Sequence, residues 1–478
     1  MSTKLIKQFF SFSLGGYISL LIGFISLPFV TRLISPEQYG VFSLFSLILN
    51  LQLIFLLMGL DQGFVRYFYE VENKMKLLFR CIKYPMYLFI LTLPLIIIFQ
   101  KKISLYIFQK IDIKMLIILE VTILLTILNN FTLLTIRMSQ RGLQYSLLQI
   151  FNQLFNFLFI IVFYKILGDS YDVLIISYFL SLVLVVLTSL YFIRNTFKTQ
   201  IEEDKEINTK ELLKYSYPFV LTFSLTWIFQ SSDKIAIKIF SNFTELGLYS
   251  TALIIIKLFN VIQSGFTTFW VPVAYEKYTK EPENKEFFNL FFNYISFIMF
   301  FVAIFVLMGK DLITFILGEK YKQASSIIPC LVFMPVMYTI SETTVLGINF
   351  LKKTKFHIII SLVVSIFNII GNMILVPRFN AVGAAISTGV AYILFFILRT
   401  NIAKKLIDYN FNLKRVYTIS ILLFLYALFL SFYNNILYSI LIGMLLLSIL
   451  TVLYIKEIKL AIKEINSFIK KINVNKNF

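Results

Sequence analysis

An all-α, polytopic membrane protein of about 14 transmembrane helices is the fold class predicted here, and three observations predict it. Of 478 residues, 59% are hydrophobic and only 14% charged, whereas soluble chains carry about 25% charged residues and need them to face water. Apolar stretches of ~20 residues recur along the whole length, each able to cross a ~30 Å hydrocarbon layer as a helix. These stretches are continuously apolar, where a membrane barrel would alternate in and out with a period of two.

The apolar stretches fall at residues 8–33, 38–60, 81–99, 115–137, 143–167, 172–193, 216–240, 247–270, 287–308, 326–350, 356–376, 382–400, 416–433 and 436–455. The first, preceded by Lys4 and Lys7 and lacking a small-residue cleavage site, is expected to be a retained span. An even count puts both termini on one side. With the N-terminus inside, inner segments hold 31 Lys and Arg, outer loops hold 10, and Lys234, Lys238 and Lys257 fall within spans. A threefold bias places both termini in the cytoplasm. The outer-loop lysines, Lys101, Lys102, Lys110 and Lys114 with Lys310, Lys320 and Lys322, are expected to lie at lipid headgroups.

The net charge of +19 is spread over short runs between spans, so a nucleic-acid partner is not expected. Cys81 and Cys330, in or beside apolar segments, read as core filler. No phosphate-cradling Gly-x-x-x-x-Gly-Lys-Ser/Thr loop occurs, which excludes ATP hydrolysis within the chain. The segment Asn195 to Tyr215, charged with both signs, reads as a solvated linker near mid-chain.

The segment after that linker repeats the start of the chain at an offset of 207 residues. Gly40 pairs with Gly247, Phe42 with Tyr249, Ser43 with Ser250 and Lys7 with Lys214. A second echo joins Phe155-Asn156 to Phe367-Asn368 at offset 212. Six spans separate the copies, so the halves are parallel repeats about an axis along the membrane normal. The predicted domains are residues 1–200 (an N-terminal six-helix bundle), 201–405 (a C-terminal six-helix bundle) and 406–478 (two further helices with a basic cytoplasmic tail).

Four groups of residues carry a family resemblance. The first hairpin runs Arg32-Leu33-Ile34-Ser35-Pro36-Glu37-Gln38-Tyr39-Gly40; the second span ends in Gly59-Leu60-Asp61-Gln62-Gly63, followed by Arg66-Tyr67. The seventh span holds Ser232-Asp233-Lys234, with Gly247-Leu248-Tyr249 and Lys257 after it, and the eleventh leads into Asn368, Pro377 and Gly383-Ala384-Ala385. In these the chain resembles the polysaccharide-transport branch of the multidrug/oligosaccharidyl-lipid/polysaccharide (MOP) exporter superfamily, the Wzx-type O-antigen and capsule repeat-unit flippases. The resemblance implies a bundle pair around a cationic cavity in a bacterial inner membrane. It implies an undecaprenyl-diphosphate-linked glycan as cargo, turned from the cytoplasmic to the periplasmic leaflet, with polysaccharide polymerase and chain-length machinery as partners besides membrane lipid. A flippase of peptidoglycan- or teichoic-type precursors and a cation-coupled multidrug exporter remain alternatives within the superfamily.

Independently of family, ionisable groups in spans cost a few kcal/mol each and need a reason. Asp233 lies ~10 Å from the outer end of span seven and Lys257 ~15 Å into span eight, so antiparallel neighbours bring them to similar depth. Lys234 and Lys238, four apart, share a face. A diphosphate needs such cations, and glycan hydroxyls need adaptable amides. Span five supplies Gln149, Asn152, Gln153 and Asn156 at i, i+3, i+4, i+7, one polar stripe that lipid would not tolerate. Asn368 and Asn372 repeat the theme in span eleven. The expected cavity residues are therefore Asp233, Lys234, Lys257, Arg66, Asn152, Asn156 and Asn368. For Asp233 and Lys257 cavity lining is the first reading and a helix-packing ion pair the second, whereas the amide stripe serves equally as helix-helix glue. Glu120 and Glu342, lone carboxyls in spans four and ten, are the candidates for H+ or Na+ coupling, because a carboxyl group moved out of water holds a proton more tightly. No cofactor is expected. A glycan polymerase or ligase would present acid-base or arginine groups on a sizeable outer loop, and the outer loops here are short, so the chain does not read as an enzyme.

Overall fold

A computed structural model of the chain describes residues 3–194, 208–282, 284–407, 409–460 and 462–463, and every regular element among them is helical. The first eight helices are α1 (Thr3–Leu33), α2 (Pro36–Leu57), α3 (Leu60–Tyr67), α4 (Lys74–Phe108), α5 (Ile113–Met138), α6 (Gly142–Leu167), α7 (Tyr171–Ile193) and α8 (Thr209–Phe240). Then follow α9 (Phe243–Lys257), α10 (Phe259–Lys280), α11 (Lys285–Met308), α12 (Lys310–Leu317) and a 3-10 segment, Glu319–Ser326. The chain ends in α13 (Ile328–Leu331), α14 (Phe333–Thr344), α15 (Leu346–Phe350), α16 (Lys355–Leu406), α17 (Leu413–Phe432) and α18 (Ile436–Leu453). Two compact units, Met1–Ser231 and Ser232–Phe478, part inside α8.

Ten of these helices are long and apolar enough to cross a membrane alone, and eleven with the bent pair formed by Glu319–Ser326 and Ile328–Thr344. That count takes α16 once. Its 52 residues reach ~78 Å at 1.5 Å each, two hydrocarbon thicknesses, and the helical path breaks at Asn380 (φ 51°, ψ −133°). The predicted spans seven and eight correspond to α8 and to the α9–α10 pair, which are more polar and not among the ten. The lipid-facing surface is visible on α4, where Leu91, Leu95 and Ile98 share a face and are 70%, 58% and 71% exposed. A helix in water would bury that face; hydrocarbon removes the need.

In unit 1 the turn between α1 and α2 is tied to the turn between α6 and α7. Ser35 precedes α2 in extended conformation, Pro36 occupies its first turn, where no amide donor is missed, and the Ser35 N–H donates to Asp169 Oδ1 (2.8 Å). The Tyr171 N–H donates to Gln38 Oε1 (3.0 Å). Unit 2 builds the corresponding turn in the same way. Ser241 Oγ donates to Asn380 Oδ1 (2.9 Å), and the Ala381 N–H donates to Glu245 Oε2 (3.1 Å). Gln38 and Glu245 are 207 residues apart, the offset of the sequence repeat, so the repeat marks a shared local construction and not chance similarity of apolar hairpins.

The Gly59-to-Gly63 motif has a steric explanation. Met58 and Gly59 both take left-handed conformations (φ 50° and 69°), which end α2 and start α3. A Cβ on Gly59 would collide with the Ser216 carbonyl of α8, and one on Gly63 with the Ser216 hydroxyl and Leu212. Gly59→Ala is expected to cost about 1–3 kcal/mol of unfolding stability, measurable as a lowered thermal midpoint in detergent; an unchanged midpoint would show that α3 and α8 do not need this approach.

Two expectations are corrected. Lys310 does not lie at headgroups: it is fully buried, donating to Asp311 Oδ1 and Asn434 Oδ1, each at 2.9 Å, because a buried ammonium is tolerated only when paired. Lys101, Lys102, Lys110, Lys114, Lys320 and Lys322 are exposed. The linker does not extend to Tyr215: α8 begins at Thr209, capped by Asn208. Residues 195–207 and 464–478, which include the rest of the linker and the basic tail, lie outside the described residues. Cys81 and Cys330 are buried free thiols.

Candidate functional site

The densest polar construction in unit 2 is centred on Asp233, which is 7% exposed in the last third of α8. Asn372 Nδ2, one helix away on α16, donates to Asp233 Oδ1 (2.7 Å), while Thr388 Oγ1 (2.7 Å) and the Tyr249 hydroxyl of α9 donate to Oδ2. Asn368 completes the network. Its Oδ1 accepts from Ser232 Oγ (2.8 Å) and Asn372 Nδ2 (2.9 Å), and its Nδ2 donates to Thr388 Oγ1 (3.1 Å). Asn368 and Asn372 are one turn apart, so they present side by side, and the break at Asn380 folds α16 back to deliver Thr388 to the same place. Asn372 Oδ1 stays buried without a hydrogen-bond partner. The carboxylate is thus held by three uncharged donors, and Asn372 Oδ1 is the acceptor left over beside it. Among the described residues no three His, Cys, Asp or Glu side chains cluster as a multi-ligand metal site would require.

Asp233 and Asn368, predicted separately, are thus brought into one cluster. Asp233 and Lys257 are not joined as an ion pair: uncharged donors satisfy the carboxylate, and Lys257 ends α9 exposed. The helix stops there, at the Lys257–Leu258 joint, so the lysine sits at a break between α9 and α10 rather than mid-helix. Lys234 is half-buried and within electrostatic reach of both Lys257 and Asp233. Lys238 places its ammonium 3.8 Å from the centre of the Phe243 ring.

In unit 1 the α6 stripe turns toward protein. Ser181 Oγ of α7 donates to Asn152 Oδ1 (3.2 Å), and Gln153 approaches α1 at Gly23. Gln149 Oε1 and Asn156 Oδ1 are buried with no hydrogen-bond partner, leaving acceptors ready for hydroxyl donors. Arg66 is exposed at the end of α3 and paired with Glu70 one turn on. Glu120, on α5, faces Gln52 of α2, whose Nε2 donates to it at 3.4 Å.

Glu342 of α14 is bound by Arg399 at 2.7 Å, and the same guanidinium donates to Ser341 Oγ (2.7 Å) and lies over the rings of Tyr338 and Phe395. Both charges are under one-tenth exposed, so each is tolerated only because the other is there. Arg399 reads from sequence as a cation at the cytoplasmic end of its span; α16 instead carries it inside the unit. Thr388 and Gln52 give no signal in the sequence, being a hydroxyl and an amide within spans. Tyr249 is marked there by its pairing with Phe42 in the repeat and by the Gly247-Leu248-Tyr249 group.

Residues 29–326, more than half of the chain, match a family model described as polysaccharide biosynthesis protein. The chain belongs to that family. The fold is similar to those of two solved membrane transporters. It is similar to the lipid II flippase MurJ in an inward closed conformation, with a TM-score of 0.69, 18% identity, and coverage of 94% of this chain and 99% of that one. It is similar to an inward-facing multidrug resistance MATE family transporter of the MOP superfamily, with a TM-score of 0.61 and 14% identity over 84% of this chain and 95% of that one. No curated protein matches the sequence. The family match spans Arg66, Glu120, Asn152, Asn156, Asp233, Lys234 and Lys257, and stops before Glu342, Asn368 and Arg399.

Proposed function

We propose that this polysaccharide biosynthesis protein is a flippase that turns an undecaprenyl-diphosphate-linked oligosaccharide repeat unit, a precursor of O-antigen, capsule or another surface polysaccharide, from the cytoplasmic to the outer leaflet. The observation that carries the proposal is that a chain of a polysaccharide-biosynthesis family has ten or eleven helices long and apolar enough to cross a membrane, in a fold similar to that of the lipid II flippase MurJ. The lysine bias supports a bacterial inner membrane location with both termini cytoplasmic. Lys234 and Lys257 are assigned to the diphosphate or to acidic sugars, the α6 amides and Asn368 to glycan hydroxyls, and Arg66 to headgroups or diphosphate on entry. Alternating access of the two units, coupled to H+ or Na+, would move the headgroup while the polyprenyl tail stays in lipid. Polymerase and chain-length machinery would take the product.

Deleting the gene is expected to accumulate undecaprenyl-linked oligosaccharide that a periplasm-confined glycan-modifying probe does not reach. An unchanged pool with intact surface glycan would overturn the reading and favour a peptidoglycan- or teichoic-type precursor, or a drug, as cargo. The balance of three intramembrane lysines against Asp233, Glu120 and Glu342 argues against a drug exporter, whose cationic substrates call for an acidic cavity.

A further inference from the structure

Glu120 lies two turns inside α5, in an apolar part of unit 1, and is 8% exposed. No charged group among the described residues acts on it. Its one hydrogen bond is the long donation from Gln52 Nε2 to Oε1, 3.4 Å, where a carboxylate normally draws an amide donor to about 2.8 Å. The other oxygen, Glu120 Oε2, is buried without a partner, and so is the other end of the same neighbour, Gln52 Oε1. A carboxylate and an amide oxygen are both acceptors. Left so, the contact buries two unmet acceptors and an uncompensated negative charge side by side, which costs free energy in a low-dielectric interior.

We propose that Glu120 is a proton-binding site, closed by a reciprocal carboxylic acid–amide pair with Gln52. A proton taken from the water phase onto Oε2 makes that oxygen a donor to Gln52 Oε1, while Gln52 Nε2 goes on donating to Oε1. One O–H bond forms, the charge disappears, and both orphaned acceptors are satisfied together.

The surroundings fit a neutral acid. From α2 the facing group is Gln52. Beside α5 runs α7, with the Tyr171 hydroxyl donating to Asp112 Oδ2 and Ser189 Oγ to Thr132 Oγ1, each at 2.9 Å; it carries Asp172 in its first turn, and its Tyr178 meets Thr126 of α5. Of the other helices packed on α5, α3 carries Asp61 in its first turn and exposed Arg66 at its end, α4 carries Lys74, Lys76, Arg80 and Lys83 near its start and exposed Lys101 and Lys102 near its end, and α6 carries exposed Lys165. Glu342, the other carboxyl considered for coupling, is ion-paired with Arg399. Losing the proton would leave a carboxylate that only water can satisfy, so deprotonation requires α2 and α5 to part. Only this use of the proton in transport rests on the flippase reading; the binding site does not.

The test is infrared difference spectroscopy of the full chain in liposomes, neutral against alkaline buffer, without cargo. The wild type is expected to show a protonated-carboxyl C=O band at neutral pH. The band should be missing in Glu120→Gln, whose amide keeps both hydrogen bonds and hence the fold, and should shift to higher frequency in Gln52→Leu, which loses the amide partner. Identical wild-type and Glu120→Gln spectra, or a band unmoved in Gln52→Leu, would overturn the site. Should the band behave as stated while reconstituted glycolipid flipping responds to a pH gradient equally in wild type and Glu120→Gln, the site stands and its part in coupling falls.

Discussion

Asp233→Ala is expected to lower the unfolding free energy of the protein by several kcal/mol, at about 1–3 kcal/mol for each buried donor it leaves unsatisfied. The carboxylate is the common acceptor for Asn372, Thr388 and the Tyr249 hydroxyl, so truncation leaves three buried donors from three separate segments without it. No water shell can replace it, since Tyr249 is fully buried and Asn372 and Thr388 nearly so. Asp233→Asn should fall between wild type and alanine: the amide oxygen still accepts, but its NH2 now opposes a donor. Thermal unfolding in detergent measures the series. An alanine variant as stable as wild type would mean the cluster does not hold α8, α9 and α16 together.

Lys234→Ala combined with Lys257→Ala is expected to reduce export of an acidic repeat unit at least tenfold while leaving the fold intact. The two ammonium groups lie within electrostatic reach of each other, which costs a little in the empty protein and is offset when an anion binds. A charge-assisted hydrogen bond contributes about 1.5–3 kcal/mol, and each 1.4 kcal/mol is tenfold in affinity, so losing two should be plain in a surface-glycan assay. Lys→Arg at both positions keeps the charge and should keep most of the activity. Normal surface glycan in the double alanine variant, with the protein present in the membrane, would refute the assignment of these lysines to cargo.

How much of the site was legible follows from the kind of signal each residue gives. Asp233, Glu120 and Glu342 stand out because a charge within an apolar run is rare and expensive. The α6 amides stand out by helical spacing, and Asn368 and Asn372 by being one turn apart. Arg399 gives no such signal: near the end of an apolar run it is indistinguishable from an interfacial cation until α16 is seen to carry it alongside Glu342. Lys310 misleads in the same way, since an outer-loop lysine and a buried one look alike until Asn434, 124 residues away, arrives as its acceptor. Gln52 is one polar residue in an apolar helix, and only the contact with Glu120 makes it a partner.

Composition and the length of the apolar runs by themselves determined that this chain is helical and crosses a membrane many times, because the hydrocarbon layer admits few other ways to satisfy a backbone. The repeat at offset 207 was likewise legible in sequence, since each turn places a side-chain oxygen at the equivalent position, Gln38 Oε1 or Glu245 Oε2, to accept from a backbone amide of a distant turn. Which polar groups neutralise one another was decided only by the tertiary structure. Hydrogen bonds and ion pairs act over about 3 Å, and the partners of Asp233, Glu120 and Glu342 are separated along the chain by up to 155 residues. Periodicity tells which face of a helix is polar; only the packing of helix on helix determines what that face meets.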